Sequence, residues 1–117
     1  MKYNSRGIRF DEGFDAIVGR LILMYYPDPI DAMRKLLAHL RPAGIVAFQE
    51  FDASGCKSHP ASPTYERCTN WIIRTLHLTG AHTHVGLELD RICQSSGLPA
   101  PILRLDGVIG GGPSAPT

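Results

Sequence analysis

The sequence contains no apolar stretch long enough to cross a membrane. The longest, Ala16 to Tyr26, is broken by Arg20 and falls far short of the ~20 residues that a spanning helix needs. Neither charge is in excess, with 12 Lys and Arg against 11 Asp and Glu, so bulk charge gives no hold on a phosphate backbone or an acidic lipid surface. Cysteine is scarce. Cys56, Cys68 and Cys93 are odd in number and widely spaced, which fits reduced, structural thiols better than a disulfide framework. The opening Met1-Lys2-Tyr3-Asn4-Ser5-Arg6 has no apolar signal segment and no small-residue cleavage pattern. The expectation is a cytoplasmic protein that engages neither nucleic acid nor membrane. No internal repeat is present.

What is present describes one ordinary folded unit. A chain of 117 residues has room for a single core. Its 44% hydrophobic and 20% charged residues are globular proportions. Glycine (12) and proline (9) are plentiful enough to predict several short elements joined by turns. The expectation is a single domain over 1–117 with flexible ends at 1–9 and 113–117.

The chain reads as alternating strands and helices. Phe14 to Gly19 is a short β-branched run after the turn-like Asp11-Glu12-Gly13, which predicts a buried strand. Asp28-Pro29 suits an N-cap followed by a first-turn proline, whose missing donor would be unpaired there anyway. Ile30, Met33, Leu36, Leu37 and Leu40 then share one stripe, with Asp31, Arg34, Lys35 and His39 opposite. Arg41-Pro42-Ala43-Gly44 is expected to end this helix, with Gly44 supplying the left-handed turn. Ile45-Val46-Ala47-Phe48 is a continuous apolar run, as in a strand covered on both faces. Strand, helix, strand within this span is a βαβ unit, so the fold class is α/β with parallel strands. A Ser/Gly/Pro/Ala-rich loop, Ala53 to Pro63, leads to a predicted helix from Thr64 to about Leu78, with Tyr65, Cys68, Ile72 and Leu76 in one stripe and Trp71 beside it. Val85 to Ser96 reads as a third helix closed by Gly97, and Ile102 to Ile109 alternates as a strand would.

Phe14 through Pro29 resembles the fourth strand and following loop of class I S-adenosylmethionine-dependent methyltransferases. Leu40-Arg41-Pro42-Ala43-Gly44 followed by Ile45 to Glu50 is similar to that family's turn into its fifth strand, with Ala43 in place of the commoner first glycine. Gly97-Leu98-Pro99 resembles the approach to the sixth. The resemblance spans about Phe10 to Gly112 and implies the carboxyl-side half of a partial Rossmann-like fold, a mostly parallel sheet with flanking helices. It further implies S-adenosylmethionine as cofactor and a small molecule as methyl acceptor. The family's glycine-rich turn and ribose-binding acidic residue have no counterpart in this sequence, so this chain alone is expected to be inactive. A sheet with open edges is also expected to associate, which makes a homo-oligomer the expected state.

Open α/β sheets bind ligands beyond the carboxyl ends of their strands. By the resemblance, Gly19 and Arg20 are the expected cofactor contacts, and Tyr25, Tyr26 and Glu50 the expected substrate contacts. No catalytic residue is assigned, because direct methyl transfer needs a base only when the nucleophile starts protonated. Asp52 shares the strand end with Glu50. Cys56, His59, His82 and His84 are of zinc-binding types, but their spacing follows no common zinc pattern, and no metal is assigned. Cys56 with His59 lacks the third group a nucleophilic pair needs. His39 and His77 fall on predicted helices. The Gly110 to Gly112 cluster has no helix behind it to make a phosphate cradle.

Overall fold

A computed structural model describes residues 13–110. The expected flexible ends, 1–9 and 113–117, lie outside them. Strand β1 (Phe14–Arg20) is followed by a 3-10 turn (Leu23–Tyr25), helix α1 (Pro29–Leu37) and strand β2 (Leu40–Gln49). Beyond them lie helix α2 (Pro63–Leu78), a 3-10 turn (Val85–Glu88) and helix α3 (Leu89–Ser95). The strands pair in parallel, from Ala16 opposite Ile45 to Arg20 opposite Gln49. The protein is therefore α/β, with a two-stranded parallel sheet and flanking helices.

The helix starts follow local chemistry. The Asp28 carboxylate accepts from the Ile30 and Asp31 amides, both at 3.1 Å, and Pro29 takes the first helical position. The Ser62 hydroxyl caps α2 from the Tyr65 amide at 3.3 Å, ahead of Pro63. Gly97, at φ +101°, turns the chain out of α3 as expected.

The core lies on one side of the sheet. Leu23, Met24, Met33, Ala81, Val85 and Ile92 form its buried centre, with Val46 and Phe48 of β2 packed against it. Strand residues alternate, so Ile17, Gly19, Val46 and Phe48 face inward while Ala16, Val18, Ile45 and Ala47 face out. Val18 is 77% exposed and Ile45 67%. The expectations of a buried first strand, of which only Ile17 is buried, and of a second apolar run covered on both faces are thus corrected. A continuous apolar run makes such cover favourable, but among the described residues no element lies over the outer face.

Four further expectations are corrected. Helix α1 stops at Leu37, and Leu40 belongs to β2, because the His39 amide closes a tight turn on the Leu36 carbonyl and the His39 carbonyl then accepts from the Phe14 amide. The left-handed residue is Ala43 (φ 62°), not Gly44; a Cβ on Gly44 would stand 2.9 Å from the Arg41 carbonyl oxygen, so Gly44 is needed for close approach. The third helix is split, with the 3-10 turn ahead of α3. Ile102–Ile109 forms no strand. Its alternation supplies propensity, whereas a strand exists only by pairing, and no described strand lies beside it.

Helix α2 is the least anchored element, with no buried residue. Leu76 reaches the core, but Ile72 of the predicted stripe is 62% exposed and Trp71 beside it 58%. The radius of gyration is 17.2 Å, against about 13 Å for a compact chain of ~100 residues.

Candidate functional site at the strand ends

At the carboxyl end of β1 the chain turns through Leu21, whose φ of 50° is a left-handed value that a leucine adopts only under constraint. Two contacts impose it. The Leu21 amide donates to the Gln49 carbonyl at 2.9 Å, extending the ladder by one bond. The next amides, of Ile22 and Leu23, both donate to Glu50 Oε1, at 3.1 and 2.9 Å. One carboxylate oxygen at the end of β2 thus caps the turn leaving β1. The other, Oε2, is buried and meets no hydrogen-bond partner among the described residues. Such an orphaned acceptor is costly and marks where a donor would be gained.

A second and a third loop are fastened to the same end. The His82 amide donates to the Met24 carbonyl at 2.7 Å, and His82 Nε2 lies 3.3 Å from the Pro27 carbonyl oxygen. The Ala53 amide donates to the Thr83 carbonyl at 2.8 Å and the Gly86 amide to the Phe51 carbonyl at 3.1 Å. Thr83 is buried, with its hydroxyl 2.7 Å from His77 Nε2. These bonds bring Asp52 against His84. Asp52 Oδ1 is 3.0 Å from His84 Nδ1 and accepts from the Ser54 amide, while Oδ2 accepts from the Ser54 hydroxyl at 2.6 Å. The Ser54 hydroxyl bond, followed by the His84 bond, holds the Asp52 carboxyl below its ordinary value of 3.8. The His84 ring is largely exposed, with Nδ1 directed at Asp52.

The expected ligand residues are placed as follows. Glu50 lies at the centre of the strand end, with one oxygen committed to backbone. Tyr25 is exposed and Tyr26 half-buried, on the turn that Glu50 caps. The Arg20 side chain is exposed and makes no hydrogen bond or ion pair among the described residues. Gly19 has a packing role: a Cβ there would stand 2.6 Å from Phe48 Cδ1 and 3.1 Å from Ile22 Cγ2, so the Phe48 ring fills the space beside it. With that space filled and no glycine-rich turn ahead of a helix among them, the described residues do not fit S-adenosylmethionine.

His84 and Asp52 are the pair that sequence reasoning did not join, since they stand 32 positions apart and only the fold brings them together. His82 and His84 are engaged with Pro27 and Asp52 rather than with Cys56 and His59. Among the described residues no three His, Cys, Asp or Glu gather to hold a metal. The cysteines are free. Cys93 is buried, and burial, followed by the Asp90 charge, pushes its thiol above the usual value. A shallow groove of about 530 Å³ runs along α2 beside Arg67, Trp71 and Arg74 and takes in no strand-end residue. No described helix is long and apolar enough to cross a membrane.

Comparison with models of protein families and with curated proteins finds no match to this chain.

Removing the Glu50 cap should loosen the strand end. Glu50→Ala is expected to lower unfolding stability by about 1.5–3 kcal/mol, the range for hydrogen bonds to a charged group. Glu50→Gln, which keeps one carbonyl acceptor, should lose less. Equal losses in denaturant titrations would show that the acceptor geometry is not what matters. Asp52 adds an acid limb. Its folded form binds a proton less readily than its unfolded form, so its contribution is present above the ordinary value of 3.8 and disappears as pH falls through the lowered folded value. In unfolding curves recorded down to about pH 2, Asp52→Asn should flatten that limb. An unchanged limb would mean that other carboxylates set it.

Proposed function

We propose that this chain is a methyltransferase-like α/β module that acts as a homodimer, and that it is not a complete methyl-transfer enzyme within one protomer. The observation that carries this reading is the unfinished sheet: among the described residues it has two parallel strands and no further strand at either edge, and no element covers the face that carries Val18 and Ile45. Parallel strands are rarely stable without cover, and exposed edges recruit other chains. A Rossmann-like assignment is supported by the order β1, α1, β2 and by the turn at Ala43-Gly44, both of which suit the resemblance to class I methyltransferases. A second copy is the simplest cover, since every molecule carries the same uncovered surfaces.

A second reading is favoured by one observation, the orphaned Glu50 Oε2 beside the turn that carries Tyr25 and Tyr26. In this reading Arg20, Tyr25, Tyr26 and Glu50 line a small-molecule site, the acceptor side of the methyl transfer that the resemblance implies, and the cofactor would have to be held by residues other than those described. The filled space at Gly19 weighs against it for one protomer acting alone.

Light scattering across a dilution series tests the first reading. The expected mass at micromolar concentration is that of two copies, and a monodisperse monomer throughout would overturn it. Calorimetric titration with S-adenosylhomocysteine separates the two. The module reading expects no binding up to millimolar ligand, and micromolar binding would instead establish the cofactor site.

A further inference from the structure

Helix α3 ends in a fixed place. The Leu98 amide donates to the Cys93 carbonyl at 3.0 Å, and the Leu98 side chain packs on the core. From there Pro99 and Pro101 hold φ near the extended range and stiffen the exit. The chain then leaves the body. Ile102 is 102% exposed, Leu105 86%, Val108 96% and Ile109 97%. An apolar arm this exposed is unfavourable in water, and its apolar and polar residues alternate over Leu103 to Asp106 as a strand's would. The same molecule offers what such an arm requires. Among the described residues no strand lies along the outer side of β2 over its regular stretch, Ile45 to Gln49, and five extended residues, about 17 Å, are enough to pair along it.

We propose that the homodimer forms by reciprocal exchange of Ile102–Ile109, each copy laying this segment as a new strand along the open edge of β2 in the other. The inference rests on the homodimer reading and names its contact. The proline-stiffened exit carries the arm outward instead of back onto its own sheet. The exchange is self-complementary, so two copies satisfy each other and the assembly closes without growing into a filament. It converts an edge and an arm, each a liability alone, into paired backbone.

Strand pairing has a signature that apolar adhesion lacks. In a strand added at an edge, the N–H groups of alternate residues face the partner and those between face solvent. Arg104→Pro and Leu105→Pro in the full chain therefore test it, because proline removes the donor at only one of the two parities. The wild-type chain is expected to sediment as a dimer. One of the two variants should weaken the dimer by about tenfold or more, and the other should stay close to wild type. Both variants dimerising as tightly as wild type would overturn the exchange and leave the homodimer reading standing. Both weakened alike would also overturn it, since that is the mark of side-chain adhesion. A wild-type chain that is monomeric at every concentration would overturn both. Either variant failing to fold, judged by circular dichroism, would place the arm in its own protomer's core and overturn the exchange.

Discussion

The ladder from Ala16–Ile45 to Arg20–Gln49 is the constraint on which the rest depends, because a parallel pair leaves two edges and two faces to be satisfied by other parts of the chain. Helices α1 and α3, with the 3-10 turns, settle one face, through Met33, Ile92, Val85 and Leu23. Glu50 settles the carboxyl end by capping the Ile22 and Leu23 amides, and that cap holds Leu21 in its left-handed turn. The loops carrying Tyr25, Asp52 and His84 are then fastened there by backbone bonds. Among the described residues the outer face and the edges are left, and the exposed arm beyond Pro101 is a matching remainder.

How much of this was legible in the sequence depended on the range of the interaction. The Asp28-Pro29 start of α1 and the Gly97 exit from α3 are local chemistry, and both stand where the residues place them. The two parallel strands follow from apolar runs of strand length separated by one helix. Reading failed where a non-local partner decides. Ile102 to Ile109 has the alternation of a strand without a neighbour. Tyr65, Trp71 and Ile72 have helical spacing without a surface to bury against. The left-handed position fell one residue before the glycine because Gly44 is taken by the close approach of Arg41.

The site shows the same division. Glu50, Tyr25 and Tyr26 could be placed at a strand end, but the cap made by Glu50 joins residues 27 and 28 positions apart and has no local signature. Asp52 and His84 are ordinary loop residues in sequence; Ser54 fixes the carboxylate and the Thr83 and Gly86 backbone fixes the imidazole. The strand end thus holds a fixed Asp52–His84 pair and a buried carboxylate oxygen on Glu50 that is unsatisfied among the described residues.

The most direct measurement is amide hydrogen exchange over residues 102–109 of the full chain as protein concentration is raised. Pairing with a second copy predicts protection in this segment that grows with concentration, while the amides of α1 change little. Exchange at the free-chain rate at every concentration would contradict the account, and protection independent of concentration would place the missing strand within one molecule.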